Sequence, residues 1–502
     1  MGCRRAQWIL AAVVVLGGCK GKSNDEKANG PPAESGSGKT AEPAAGGDHP
    51  GGKIPWIEND WPAALAAAKK DKKPIFVDLG APWCHTCLAV QQGVLTDPSL
   101  APYADRFVWL EVDTDRPENA PVVEALPIDV WPTFYVVSAK ADGGVTIQAR
   151  HIEAPSIAQL RELLEQGEQA HLASMAKDGQ LDRTSPLGMV QAGDAAVAGG
   201  DFGAADEWYA KALKAAPPDW SRGPTTLAKQ MRAKLKNGDL AGCADLGMTQ
   251  FQRAAQGMTA QLSLFAQMAD QCAASLDEPR ARLLRGRMGE ALRKVVDSPD
   301  SALSADDQSD ALRVLREMAL ALKDSASARN YAVRQRDLLD RAVAQAKTAM
   351  ERMTHNWPRA EVYVYLGEGE KIIPDLERSV AELPREYDPP ARLAWVHEQL
   401  GHHDKALGLA QQALSRAYGP RKGSILRLIA EIHKGKGDLE AERKARQAVV
   451  DYLKTLTGGH HDEDRIADAE KALADVGKKT ADAPPKPPAP IKNQKSAGKK
   501  AN

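Results

Sequence analysis

Residues 75–87 read IFVDLGAPWCHTC: an apolar run, a turn carrying Gly80 and Pro82, then two cysteines three residues apart. Ile75 to Leu79 has the length and composition of a buried strand, and the residues after the turn open a helix. Cys84 then stands at a helix N-terminus, where free backbone N–H groups and the positive end of the dipole favour a thiolate. Cys87 follows one turn along the same face, placed to attack a mixed disulfide on Cys84 and release what is bound there. Half a zinc site has the same spacing. A second cysteine pair or a histidine cluster with ligand spacing is missing from residues 54–168, so redox chemistry is the reading and no metal is expected.

The surroundings sharpen this. Trp83 precedes the first cysteine, Asp78 sits inside the strand, and a Trp131-Pro132-Thr133 step follows later in the chain. Together these features resemble the thioredoxin superfamily. The resemblance implies Cys84 as attacking thiol, Cys87 as resolving thiol and Asp78 as the buried carboxylate that moves protons to and from Cys87. It also implies Pro132 as the cis-proline loop that faces the sulfurs and receives substrate backbone, with Trp83 and Trp131 beside it. Lys72-Lys73-Pro74 before the strand and Val94-Leu95-Thr96-Asp97-Pro98 after the helix are similar to the periplasmic C-terminal domain of the disulfide reductase DsbD and to lipid-anchored relatives. Leu88 replaces a lysine usual in the family, Gln92 replaces a helix-kinking proline, and Trp109 falls near a strand position often filled by lysine. The redox potential therefore does not transfer. His85, if protonated, would stabilise the Cys84 thiolate; otherwise it is a solvent-exposed side chain.

The chain has 502 residues with 5% aromatics and many Ala, Leu, Lys and Glu, which predicts more than one domain and much helix. A formal net charge of −1 supplies no field for nucleic acid. Residues 1–18 carry Arg4, Arg5 and an apolar run from Trp8 to Leu16 that is too short to span a bilayer, the pattern of an export signal. Leu16-Gly17-Gly18-Cys19 resembles a bacterial lipobox, which implies diacylation of Cys19 and membrane attachment through that lipid. Lys20, where inner-membrane lipoproteins have Asp, implies the outer membrane. Residues 19–53 are Gly-, Pro- and Ser-rich and charged, a disordered tether. With Cys3 leaving in the signal, Cys243 and Cys272 remain as a candidate structural disulfide in an oxidising compartment, or as two buried thiols.

From 54 to 168 the pattern alternates: helix at 61–70, strand at 75–79, helix at 84–92, strands at 107–112, 133–137 and 145–150. Ser156-x-x-Gln159 then forms a capping box opening a helix with Ile157, Leu160, Leu163 and Leu164 on one side. This is the order of an α/β thioredoxin fold. Residues 170–477 are helical throughout. A Gly-Asp-apolar step recurs at Gly200-Asp201-Phe202, Gly238-Asp239-Leu240 and Gly437-Asp438-Leu439. Gly193, Ala205, Tyr209, Ala212 and Pro217 fall at spacings that resemble the tetratricopeptide repeat, as do Leu393, Gly401, Ala406 and Leu414. An all-α tetratricopeptide-like solenoid is expected, with a poor fit from Gln250 to Arg352. His402-His403 and His460-His461 are adjacent pairs and are expected on the surface. Residues 478–502 form a disordered basic tail.

The functional expectation is a lipid-anchored envelope thiol–disulfide oxidoreductase acting on exported proteins that carry disulfides. It needs no bound cofactor and draws electrons from a redox partner protein, while the concave face of the repeats recruits substrate or partner. The alternative is an envelope scaffold in which the repeats do the work.

Overall fold

In the computed structural model, which describes residues 54–175, 183–298 and 303–478, the expected signal peptide, Cys19, the tether and all of the tail beyond Lys478 lie outside the described residues. The first part contains β1 (Trp56–Glu58), α1 (Trp61–Asp71), β2 (Ile75–Gly80), α2 (His85–Gln92), β3 (Val108–Asp113), α3 (Ala120–Ala125), β4 (Thr133–Ala139), β5 (Val145–Ile152) and α4 (Ile157–Met175). The sheet order is β1-β3-β2-β4-β5, with β1 and β2 parallel to β3, and β4 antiparallel to both β2 and β5. Two elements escape the sequence reading: β1 is too short to show a period, and α3 carries Pro121 in its first turn.

Every residue of central β2 is buried, Asp78 included, as a strand covered on both faces requires. Alternate residues face opposite layers. Phe76, Trp109, Phe134 and Val136 pack under Leu160, Leu163 and Leu164 of α4, whereas Ile75, Val77, Leu110 and Tyr135 pack with Ala64 and Ala68 of α1. The capping box forms, with Gln159 N–H donating to Ser156 Oγ at 3.2 Å and Ser156 N–H to Gln159 Oε1 at 2.9 Å.

The second part is helical: α5 (Pro186–Ala198), α6 (Phe202–Ala215), α7 (Gly223–Lys236), α8 (Leu240–Ala254), α9 (Gln261–Cys272), α10 (Glu278–Val296), α11 (Ala305–Ala321) and α12 (Ser325–Gln345). It continues through α13 (Ala349–Thr354), α14 (Asn356–Tyr365), α15 (Ile373–Glu382), α16 (Asp388–Gln399), α17 (His403–Leu414), α18 (Gly419–Lys436), α19 (Leu439–Lys454) and α20 (Glu463–Ala474). The Gly-Asp steps are the hairpin turns. Gly200, Gly238 and Gly437 adopt φ of 74°, 75° and 73°, which glycine enters without a Cβ clash, and the following aspartate caps the next helix through the N–H of Ala204, Gly242 or Ala441. The same turn recurs at Lys323-Asp324, with Lys323 at φ 62° and Asp324 accepting from Ser327 N–H. A lysine in the glycine position hides this turn within the stretch that fits the repeat poorly.

The repeat spacing has a packing basis. A Cβ on Gly193 would lie 2.5 Å from Tyr209 Cε1, so α5 and α6 approach as closely as they do only because residue 193 is glycine. Tyr209 cannot retreat, since its buried hydroxyl donates to Asp194 at 2.8 Å. Gly193→Ala is expected to lower stability by about 1–3 kcal/mol through overpacking, although alanine favours helix by about 1 kcal/mol. An unfolding midpoint equal to or above that of the wild type would refute this account. Cys243 of α8 and Cys272 of α9 are fully buried and joined by a disulfide.

The first helix of successive pairs meets the sheet domain. In α5, Gln191 donates to Ile147 O of β5; in α7, Lys229 donates to Arg150 O; in α9, Gln261 donates to Ala154 O. Further along, α11, α16 and α18 reach the region around the cysteines. The sides of α5, α7 and α9 that carry Gln191, Lys229 and Gln261 are thus in contact with the chain's own N-terminal domain. The expectation for His460 is corrected, because its ring is buried and bonds Thr114 O at 2.8 Å, whereas His461 is partly exposed and pairs with Glu463.

Candidate active site

Strand β2 delivers the chain to a turn, and Cys84 becomes the N-cap of α2. Its side chain takes the place of a capping oxygen: Cys87 N–H donates to Cys84 Sγ at 3.0 Å. A sulfur there gains as an anion, because the donor and the helix dipole both favour negative charge. Cys84 and Cys87 are joined as a disulfide with Cα atoms 5.2 Å apart, and they retain 5% and 2% exposure.

Asp78 is 1% exposed on β2 and lies two residues before Gly80, on the same side of the strand. A Cβ on Gly80 would lie 3.7 Å from Cys87 Sγ, so that side faces the second sulfur. Gln91, one turn beyond Cys87, lies 3.5 Å from Asp78 Oδ2 and donates to Glu111 Oε1 at 2.9 Å. Glu111 is the residue in register with Asp78 on β3, whereas Trp109 pairs with Phe76 in the core. The Trp131-Pro132 peptide is cis, and Trp131 packs with Trp83 against the two cysteines. The indole rings stand 5.5 Å apart. The Trp131 indole donates to Thr114 Oγ1, which itself donates to Gly80 O. Thr133 opens β4 opposite Leu79, which seats the proline beside the turn that leads to Cys84.

The repeat domain supplies the remaining walls, and no short-range pattern pointed to them. Trp83 is held from three sides. Its indole donates to Asp115 at 2.7 Å, its carbonyl accepts from Arg392 of α16 at 3.0 Å, and the Arg421 guanidinium of α18 lies 5.3 Å from its ring. Asp115 is buried and raised to about 7, first by burial and then by neighbouring Asp113, against the pull of the Trp83 indole and Arg421. Gly419 opens α18 so close to this loop that a Cβ would fall 1.7 Å from Asp115 O. On the other flank, Gln92 donates to Thr354 of α13, and Asp306 of α11 bonds both residues between the cysteines. His85 is thus neither free nor solvent-exposed as one of its readings had it: its side chain keeps 22% exposure and is paired. A Ser304/Asp307 capping box opens α11, and the helix's Asp306 reaches a residue 221 positions away in the chain.

A family model described as thioredoxin-like matches residues 56–135. The chain is 38% identical over 96 residues to a thioredoxin H-type of Chlamydomonas reinhardtii, a match that spans 18% of this chain and 81% of that protein. It is 36% identical over 75 residues to the thiol:disulfide interchange protein DsbD of Vibrio vulnificus, and that match spans 13% of each chain. Among solved structures, a tetratricopeptide repeat protein from Parabacteroides merdae is similar at 12% identity and a TM-score of 0.37, covering 58% of this chain and 98% of that one.

Proposed function

Because the chain belongs to the thioredoxin family and is a thiol–disulfide oxidoreductase, we propose that it exchanges disulfides of exported proteins in a bacterial envelope, tethered by lipid on Cys19. One observation carries the chemistry: the Cys84 sulfur takes the capping position of α2 and receives the Cys87 N–H, so the attacking sulfur is the one best stabilised as an anion.

In the reducing direction, the Cys84 thiolate attacks one sulfur of a substrate disulfide. The substrate S–S bond breaks, a Cys84–substrate disulfide forms, and the other substrate sulfur leaves as a thiolate and takes a proton. Cys87 then loses its proton towards the buried Asp78 side and attacks Cys84 Sγ, which releases the second substrate thiol. Two electrons and two protons pass to the substrate, and the enzyme is left with the Cys84–Cys87 disulfide. A dithiol partner protein restores the reduced pair by the same steps in reverse, and no bound cofactor takes part. Trp83, Trp131 and Pro132 border the sulfurs and would contact substrate backbone.

The apolar run with Cys19 supports the anchor, and an oxidising compartment suits the buried Cys243–Cys272 disulfide. With α5, α7 and α9 engaged by the sheet domain, recruitment would use other faces of the repeats. Cys19→Ala is expected to move the protein from the membrane to the soluble fraction, and Cys87→Ser to accumulate mixed disulfides with envelope proteins. Unchanged membrane partition of Cys19→Ala overturns the anchor, and trapped partners confined to the cytoplasm overturn the location.

A further inference from the structure

Asp306 stands in the first turn of α11, in the other domain, yet it spends both carboxylate oxygens on the two residues between the redox cysteines. Oδ1 lies 2.8 Å from His85 Nδ1, and Oδ2 accepts from Thr86 Oγ1 at 2.9 Å. The carboxylate is 1% exposed, so these bonds form away from solvent. We propose that Asp306 is a positioning residue for thiol–disulfide exchange: by fixing His85 at the helix start next to Cys84, it makes the docked repeat domain part of the redox centre and sets how readily Cys84 ionises. This rests on the reading of Cys84 as the attacking thiol.

Burial on its own drives an imidazole towards its neutral form, but the Asp306 carboxylate, through charge and hydrogen bond, outweighs it and leaves His85 raised to about 9. Asp310 of α11 adds to this, its carboxylate lying within 4.8 Å of the His85 and Asp306 donor atoms, and Arg313 of the same helix opposes it. His355, between α13 and α14, faces Asp306 and is itself held low by burial. Glu153, after β5, faces Asp307 and Asp310 and is raised to about 8, chiefly by burial, which limits the negative charge it adds at neutral pH. His85 is therefore a cation at neutral pH on the residue adjoining Cys84. A cation there stabilises the thiolate, and a stabilised thiolate favours the dithiol, which makes the couple more oxidising.

The test uses the full-length protein. Asp306→Asn keeps an oxygen for Thr86 but removes the charge, and His85→Gln removes the ring. Cys84 ionisation is followed by thiolate absorbance and by alkylation rate across a pH series, and the Cys84–Cys87 couple is equilibrated against glutathione. Asp306→Asn is expected to raise the Cys84 midpoint by about one pH unit or more. It is also expected to shift the equilibrium about tenfold towards the disulfide, equivalent to about 30 mV more reducing. His85→Gln should give the same shifts, and the double variant should add nothing further. The proposal is overturned if folded Asp306→Asn titrates as wild type, if His85→Gln alone leaves the midpoint unchanged, or if the two substitutions add. Failure of the underlying reading looks different, since wild-type Cys84 would then alkylate no faster than free cysteine near neutrality.

Discussion

Cys84→Ser removes disulfide reduction down to the uncatalysed background, whereas Cys87→Ser completes the first half of the reaction and stops. The two outcomes differ because the sulfurs occupy different positions on one helix. Cys84 is the N-cap, receives the Cys87 N–H at 3.0 Å and adjoins the paired His85, so its anion is stabilised three ways. Cys87 is one turn in and 2% exposed, and no cap donor holds its sulfur. Serine at 84 has no accessible anion near neutral pH, so the expected loss is on the order of a thousandfold or more, the scale seen when one member of a group that acts as a unit is removed. Serine at 87 leaves the attack intact but cannot resolve the product, and a Cys84-linked adduct should accumulate in near-stoichiometric amount. The measurement is turnover of a quenched disulfide peptide with a dithiol reductant, read beside non-reducing mass spectrometry. Activity retained by Cys84→Ser would remove the enzymatic assignment, and an adduct on residue 87 would invert the roles. Cys243 and Cys272 lie buried in the repeat domain and should be silent in this assay.

How much of this could be read from the chain depends on how local each cause is. The strand and helix around the motif follow from one short stretch, and the Trp131-Pro132 step and Asp78 sit on elements whose register is fixed by burial of β2 on both faces. The repeat turns were legible at Gly200, Gly238 and Gly437, where glycine fills the left-handed position. At Lys323 the same geometry is held by a residue type that carries no such signal. Long-range partners were illegible for a different reason. His85 reads identically whether it faces solvent or a carboxylate, and His460 was expected on the surface although it bonds Thr114 O across the domain boundary. Pairings of this kind depend on how the repeats wrap the sheet domain, which is set by many weak contacts rather than by any single motif.

Asp194→Ala should be among the most destabilising single substitutions in the protein, with an expected loss of about 3–5 kcal/mol at neutral pH. Asp194 of α5 and Lys229 of α7 pair at 2.9 Å, are 1% and 3% exposed in their side chains, and sit where the repeats meet β5. Lys229 Nζ also donates to Arg150 O, and Tyr209 donates to Asp194, so removal of the carboxylate strands an ammonium and a hydroxyl together. The size of the loss reflects an uncompensated buried charge rather than the worth of the pair. Asp194→Leu combined with Lys229→Met should therefore recover most of it. The pH dependence has a fixed direction. Burial lowers Lys229 to about 8, below the 10.5 of an unfolded lysine, although Asp194 pulls the other way. The unfolded chain then binds more protons between about 8 and 10.5, and this group makes stability rise with pH across that window. His85 has the opposite sign, since its raised value gives stability that is complete below 6.5 and is lost as pH passes 9. The difference between wild type and Asp194→Ala cancels His85 and isolates the lysine: without Asp194 the Lys229 ammonium loses its proton below about pH 8, so the penalty should be largest at low pH, shrink as pH rises towards about 8 and level off above it. Denaturant midpoints with hydrogen exchange in α5 and α7 measure both effects, and a penalty that grew with pH would mean that Lys229 is not the charge being stranded.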